Sequence, residues 1–260
     1  MFAEERQEKI YQIINQRNSV KVSELSGELD ISEVTIRRDL EELQKQKRIV
    51  RTHGGAMAAC GTGRDMGFPS FPSRETEQKR QIARLAYDMI REHDTVLLDA
   101  SGTVGELVKL IANGSKKDLR VITTSLTALR LLSKTDNCSV QIVGGEVNFN
   151  SGAVEGSAAC RFLRDIRVDK SFVGIHGIDE NFGFSTPRYA DADIKSAMLQ
   201  VAHSGFVLAD RTKLGKTCLA RVEAPDYLIT DRMEPGFAYE DLGTGMTVLF
   251  AGDGTESGAR

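Results

Sequence analysis

The stretch Ile31-Ser32-Glu33-Val34-Thr35-Ile36-Arg37-Arg38-Asp39-Leu40-Glu41-Glu42-Leu43 places Ile36, Leu40 and Leu43 at i, i+4 and i+7, the spacing of one apolar helix face. Ser32 is of a type that caps the unpaired amides of a first turn, and Glu33 suits the positive end of the helix dipole. Val34, Arg38 and Glu41 fall opposite the apolar face, with Thr35 and Arg37 on its flanks. A helix that buries three aliphatics while offering Thr and two Arg from its first two turns fits insertion into a DNA major groove.

Upstream, residues 4–17 read as a first helix with Ile10, Ile13 and Ile14 on one face, ended by Arg17-Asn18-Ser19. Val22 to Leu29 reads as a short second helix with Leu25 and Leu29 inward, and Asp30 turns the chain. Downstream, Arg48-Ile49-Val50-Arg51-Thr52-His53-Gly54-Gly55-Ala56 has the pattern of a strand, a Gly-Gly turn and the start of a return strand. Three short helices followed by a basic hairpin make a winged helix-turn-helix. From Val34 to Arg51 six cations (Arg37, Arg38, Lys45, Lys47, Arg48, Arg51) face three carboxylates (Asp39, Glu41, Glu42), so the basic surplus is local. The competing reading is a plain three-helix bundle with a solvated charged face. The capped third helix, its Thr and Arg, the short turn before it and the basic hairpin behind it together favour DNA.

The formal net charge of the whole chain is −3, so nucleic-acid binding cannot rest on a basic protein overall. At 260 residues, 40% hydrophobic and 27% charged, the chain has material for a small module plus a larger domain with a proper core. Cys60, Cys138, Cys160 and Cys218 are widely spaced, with no C-x-x-C pair, and read as free thiols in a reducing compartment rather than as a zinc site. The N-terminus is charged and there is no run of about 18 apolar residues. A soluble cytoplasmic protein with no membrane span, no metal and no cofactor is expected.

The expected boundaries are 1–57 for the winged helix-turn-helix, 58–74 for a Gly/Pro/Ser-rich linker, 75–252 for a second domain and 253–260 for a disordered tail. Gly61-Thr62-Gly63 in the linker has no strand before it and reads as flexible connection rather than as a nucleotide loop. The second domain opens with a helix at 75–92. Seven β-rich runs then succeed it, at 95–98, 119–122, 140–143, 171–175, 206–209, 227–230 and 247–250. Amphipathic segments near 104–111, 126–133, 156–165 and 190–203 separate most of them, the signature of an α/β, Rossmann-like domain with a largely parallel sheet.

Ligands of open parallel sheets bind outside the carboxyl ends of the strands. The runs end in Asp99-Ala100-Ser101-Gly102-Thr103, Thr123-Thr124-Ser125, Gly144-Gly145-Glu146, His176-Gly177, Asp210 and Asp231, a set of small, hydroxyl and acidic residues suited to a polyhydroxylated ligand carrying phosphate. Ser101-Gly102-Thr103 precedes a helix, where close backbone approach and the dipole favour an anion, but Ser and Thr also serve there as ordinary caps. Asp99 suits sugar hydroxyls or the amides of its own loop. Lys195 and Lys213 suit a phosphate or plain solvation, and His176 reads as a satisfied loop histidine.

The blocks Val34-Thr35-Ile36-Arg37-Arg38-Asp39-Leu40 and Arg51-Thr52-His53-Gly54-Gly55-Ala56 resemble the N-terminal signature of DeoR-type bacterial transcriptional regulators. Leu98-Asp99-Ala100-Ser101-Gly102-Thr103, Val121-Ile122-Thr123-Thr124-Ser125, Gly144-Gly145, Gly174-Ile175-His176-Gly177-Ile178 and the run from Leu208 to Gly215 resemble that family's sensor blocks, so the likeness spans roughly residues 6 to 250. The resemblance implies a sensor similar in fold to ribose-5-phosphate isomerase and a phosphorylated sugar as effector. It also implies double-stranded operator DNA as partner and a homo-oligomer, dimer or tetramer. Implied DNA contacts are Thr35, Arg37 and Arg38 on the helix, to which Ser32 before it and Arg51 and His53 on the wing are added as further candidates. Implied effector contacts are Asp99, Ser101, Gly102, Thr103, Ser125, Asp210 and Lys213, to which Asp191 and Lys195 are added as further candidates; no catalytic residue is implied. Thr124 stands where the family often has Asn, Asp191 where Glu is usual, and Arg211 in place of a small hydroxyl residue, all bearing on which sugar fits. The expected function is repression of a carbohydrate-use operon. The rival is a sugar-phosphate isomerase-like enzyme with a DNA-binding appendage, for which no constellation of acid, base and cation is evident in the sequence.

Overall fold

The computed structural model describes residues 3–17, 19–46, 48–52, 54–58 and 76–252. His53, most of the expected linker and the expected tail lie outside them. The chain divides into two units, Met1–Gly67 and Phe68–Arg260.

In the first unit the order is α1 (Ala3–Arg17), β1 (Ser19–Lys21), α2 (Val22–Leu29), α3 (Glu33–Lys45), β2 (Ile49–Thr52) and β3 (Gly55–Ala58). Ile10, Ile14, Leu25, Ile36, Leu40 and Leu43 are fully buried in one core, as the spacing predicts. Asp30 takes a left-handed conformation (φ +53°) at the end of α2 and its amide closes onto Ser26 O, the turn that aims α3. Ser32 Oγ accepts from Thr35 N at 3.3 Å, so the predicted cap is made. Three features depart from the expectation. Residues 19–21 are a strand: β1 pairs with the return strand β3, giving the order β1-β3-β2. Gly55 lies inside β3 rather than in the turn, and a Cβ there would meet Val20 O at 2.2 Å, so only glycine permits that pairing. Asp39, counted from sequence as a surface charge, is buried. Its carboxylate takes Arg6 Nε at 2.5 Å and Gln7 Nε2 at 3.1 Å, clasping α1 to α3.

The second unit begins with α4 (Thr76–Met89), β4 (Thr95–Leu98), α5 (Gly102–Asn113), β5 (Leu119–Thr123), α6 (Leu126–Leu132) and β6 (Cys138–Ile142). It continues with β7 (Glu146–Asn148), β8 (Ala153–Glu155), α7 (Ser157–Arg164), β9 (Val168–Gly174), β10 (Gly177–Asp179), β11 (Gly183–Thr186), α8 (Tyr189–Gln200), β12 (Ala202–Leu208), β13 (Ala220–Val222), β14 (Tyr227–Thr230) and β15 (Thr247–Phe250). The seven predicted runs are the seven strands of one parallel sheet, ordered β15-β14-β12-β9-β4-β5-β6. Alternate side chains serve opposite layers. Val96, Leu98, Val121, Phe172, Phe206 and Leu208 pack with α4, α5 and α6, whereas Leu97, Ile122, Val173 and Val207 pack with α7 and α8. On the first side Phe172, Phe206 and Tyr227 stack across three neighbouring strands with centroids 4.8 and 4.7 Å apart.

The sheet order sets where a ligand belongs. From β4 the chain steps outward through β5 to β6, then returns to β4's other side with β9 and steps away through β12, β14 and β15. The reversal between β4 and β9 opens a crevice at their carboxyl ends. Two small sheets stand outside the seven predicted strands, the hairpin β7-β8 and the antiparallel set β10-β11-β13.

Candidate functional site

Three adjacent strands deliver side chains to the crevice: Asp99 and Ser101 come after β4, His176 after β9, and Asp210 after β12. Asp99 is 2% exposed and both its oxygens are engaged. Oδ1 accepts from Ser101 N at 2.9 Å, and Oδ2 accepts from Gly174 N at 2.9 Å and from Lys195 Nζ at 2.5 Å. Asp99 therefore ties β4 to β9 across the reversal and shapes the loop from beneath.

Lys195 reaches this point from α8 and is buried, not solvated. Its ammonium also lies 3.4 Å from Asp191 Oδ1, one helical turn back. Burial disfavours the charge, but Asp99 and Asp191 outweigh it and raise the Lys195 pKa above its ordinary value. Burial likewise opposes ionisation of Asp191, and Lys195, the Thr186 hydroxyl and His176 overcome it and hold the carboxyl below the usual range. Lys195 is thus a fixed cation already neutralised by two carboxylates, a poor phosphate ligand and a good organiser.

The loop Ser101-Gly102-Thr103 leads into α5. Ser101 occupies the cap position, yet its hydroxyl makes no cap hydrogen bond. Ser101 Oγ and Asp210 Oδ2 are buried side-chain atoms without a hydrogen-bond partner among the described residues. Burying such groups unpaired costs about 1–3 kcal/mol each, a cost that a hydroxyl or phosphate ligand removes. The other Asp210 oxygen accepts from Thr212 N at 3.0 Å. Gly174 has no room for a side chain, since a Cβ would lie 2.3 Å from Ser101 Oγ. Gly102 starts α5 and Thr103 is buried in its first turn. Lys213 is half-buried in the short helical turn 211–213 and pairs with no described carboxylate, so its charge is available to a ligand on this edge. Ser125 Oγ accepts from Ala128 N at 3.1 Å, capping α6 beside the hairpin β7-β8, which bridges to it through Ala153. The Arg211 amide donates to Asp231 Oδ1 at 2.7 Å, and its guanidinium Nε lies 3.9 Å from Asp231 Oδ2.

On the first unit, Thr35 Oγ1 sits 2.9 Å from Ser32 Oγ, and Arg37 pairs with Glu33 at 2.6 Å on the exposed first turn of α3. Arg51 on β2 pairs with Glu41 at 2.8 Å. Exposed pairs of this kind are worth about 0–1 kcal/mol, so a DNA phosphate can compete for either cation. Arg38 is exposed and forms no ion pair with a described residue. Val34, one turn before it on the same ridge, is 73% exposed.

Residues 6–60 match the DeoR-like helix-turn-helix domain, and residues 74–232 match the DeoR C terminal sensor domain. The chain belongs to the DeoR family. This regulator is 33% identical over 93% of its length, and 93% of the relative's, to the HTH-type transcriptional repressor GlcR of Bacillus subtilis (strain 168). It is 30% identical to the HTH-type transcriptional regulator GlpR of Haloferax volcanii, covering 96% of this chain and 98% of that one. It is 29% identical to a putative aga operon transcriptional repressor of Escherichia coli O157:H7, covering 96% and 94%. Among solved structures, a D-ribose-5-phosphate isomerase in complex with phospho-erythronic acid is similar over 55% of each chain, at 18% identity and TM-score 0.41. The DeoR-family regulator is thus a DNA-binding transcriptional regulator whose second unit is a sensor. No helix among the described residues is long and apolar enough to cross a membrane.

Proposed function

We propose that this regulator is a homo-oligomeric repressor of a carbohydrate-use operon, released from or held on its operator by a phosphorylated sugar bound at the carboxyl ends of β4, β9 and β12. The observation that carries the ligand reading is the pair of buried, unpartnered oxygens on Ser101 and Asp210, beside the N-terminus of α5 and the unpaired Lys213. An anion suits the helix terminus and the ammonium, while polyol hydroxyls suit the carboxylate. Relatives named as repressors, one of them of an operon, support the operon reading. Palindromic half-sites suit a symmetric oligomer, with Ser32, Thr35, Arg37, Arg38 and Arg51 as the contacts and His53 added from the sequence pattern.

The test is a thermal-shift screen of the full chain with pentose, hexose and hexosamine phosphates. A ligand that binds only the folded state raises the transition, by an amount set by its concentration over Kd. The expected result is a shift with at least one phosphorylated sugar, reduced in Ser101→Ala and Asp210→Asn. Absence of any shift sinks the assignment. Catalytic turnover of the same ligands by the purified protein would favour the isomerase-like alternative instead.

A further inference from the structure

His176 follows β9 at the β4/β9 reversal, and its surroundings determine which nitrogen carries a proton. Nδ1 lies 3.0 Å from Thr186 Oγ1, and the Thr186 hydroxyl, fully buried on β11, donates to Asp191 Oδ2. Asp191 is ionised, held so by Lys195 against burial, and can only accept. A hydroxyl has one proton, and Thr186 gives it to Asp191. The oxygen therefore meets the imidazole with lone pairs alone, and Nδ1 must carry a hydrogen to bond to it. In the neutral ring this leaves Nε2 bare. Neutrality is favoured: desolvation of the part of the ring packed towards Thr186, then the charges of Lys195 on α8 and Lys213 after β12, lower the ring's pKa against the opposing pull of Asp191 and Asp99. The side chain is 54% exposed, and Nε2 has no partner among the described residues.

We propose that His176 is a specificity-determining residue of the effector site, its Nε2 accepting a hydrogen bond from a hydroxyl of the bound sugar. A bare nitrogen lone pair repels phosphate oxygens, so His176 belongs to the polyol end of the ligand, and Lys213 with the α5 amides to the phosphate end. The ligand class narrows to phosphorylated sugars or polyols that keep a free hydroxyl at that point. A deoxy sugar there is discriminated against, because it leaves Nε2 with no donor, and an acceptor-only group is disfavoured too, because Thr186 and Asp191 keep the ring from switching to the donor tautomer. This rests on the effector reading above.

The experiment is isothermal titration of the full chain with the sugar phosphate giving the largest thermal shift, and with its monodeoxy series. The proteins are the natural chain, His176→Phe and His176→Gln. Phe removes the acceptor; Gln returns a carbonyl at similar reach. The expected result is about tenfold weaker binding of the parent ligand to His176→Phe and recovery to within about threefold in His176→Gln. One monodeoxy analogue should bind the natural chain and His176→Phe alike. Equal affinity of the natural chain and His176→Phe, failure of the Gln rescue, or uniform loss across the deoxy series overturns the proposal. So does affinity that rises in the natural chain relative to His176→Gln as pH falls from 7.5 to 6, since that marks an imidazolium reading phosphate. If His176→Phe does not fold, the deoxy series on the natural chain still decides: no analogue singled out means no hydroxyl read by His176. If no sugar phosphate binds the natural chain at all, the effector assignment falls and this inference with it; binding indifferent to His176 removes this inference alone.

Discussion

Replacing Lys195 by Met keeps the length of the side chain and removes the cation that Asp99 and Asp191 share at 2.5 and 3.4 Å. Breaking a buried pair by deleting one partner costs about 3–5 kcal/mol, because the remaining charge is left uncompensated. At a urea dependence of about 2–3 kcal/mol per molar for a domain of this size, the sensor's unfolding midpoint should fall by about 1–2.5 M at pH 7.5. The pH dependence has a definite sign. Lys195 has a native pKa above the ordinary 10.5, so its contribution is complete below that value and is lost as pH rises through the native one. Asp191 has a native pKa below 3.8, so its contribution is present above 3.8 and is lost as pH falls through the native one. Between these limits the natural cluster is at full strength. In Lys195→Met the Asp191 carboxyl loses the cation that helps hold it ionised against burial and takes up a proton more readily, so the deficit measured at pH 7.5 should narrow towards pH 5. Lys195→Met combined with Asp99→Asn should be less damaged than Lys195→Met alone. A midpoint within about 0.3 M of the natural chain at pH 7.5 would refute the organising role of Lys195.

Three further outcomes are expected from the same structure. Arg38→Ala should weaken operator binding by about tenfold or more in a mobility-shift assay with unchanged thermal unfolding, since Arg38 is exposed and outside the core; undiminished affinity removes α3 as the reading element. Arg6→Ala leaves the buried Asp39 carboxylate short of its guanidinium and should cost the first unit about 1–3 kcal/mol in urea unfolding, with Asp39→Asn milder because it removes the charge itself. Phe172→Ala removes a ring from its stack with Phe206 in a fully buried position and should cost about 3–5 kcal/mol by the same measurement, a near-neutral result contradicting the packing.

What the sequence shows and what it hides divide along the range of the interactions. Ile36, Leu40 and Leu43 announce α3 because helix periodicity is local, and the seven parallel strands are visible because buried strands are near-continuous apolar runs. The set β10-β11-β13 is not visible: Gly177-Ile178-Asp179 is three residues long, and the partner of β11's Phe184 is Val222, far along the chain. Lys195 looks like any surface lysine until the fold brings Asp99, 96 positions away, against it. Asp39 is hidden in the same way, its partner Arg6 being 33 positions off. Asp99 and Asp210 stand out from sequence because they end apolar runs, but the division of labour between them does not. Only the three-dimensional arrangement reveals that Asp99 is fully engaged while Asp210 keeps one oxygen free. His176 reads from sequence as a satisfied loop residue, and half of that holds: Nδ1 is satisfied through Thr186, ten positions away, and Nε2 is not.

The proposed function couples a sugar phosphate held at the ends of β4, β9 and β12 to the grip of α3 on DNA. It is tested most directly by fluorescence anisotropy of a labelled operator, selected in vitro from random DNA with the full chain, titrated with the sugar phosphate that shifts thermal unfolding most. The ligand is expected to change operator affinity in the natural chain, and Asp210→Asn to bind the operator as tightly as the natural chain while requiring far more ligand for the same change. Operator affinity indifferent to every phosphorylated sugar, or an unaltered ligand response in Asp210→Asn, would contradict it.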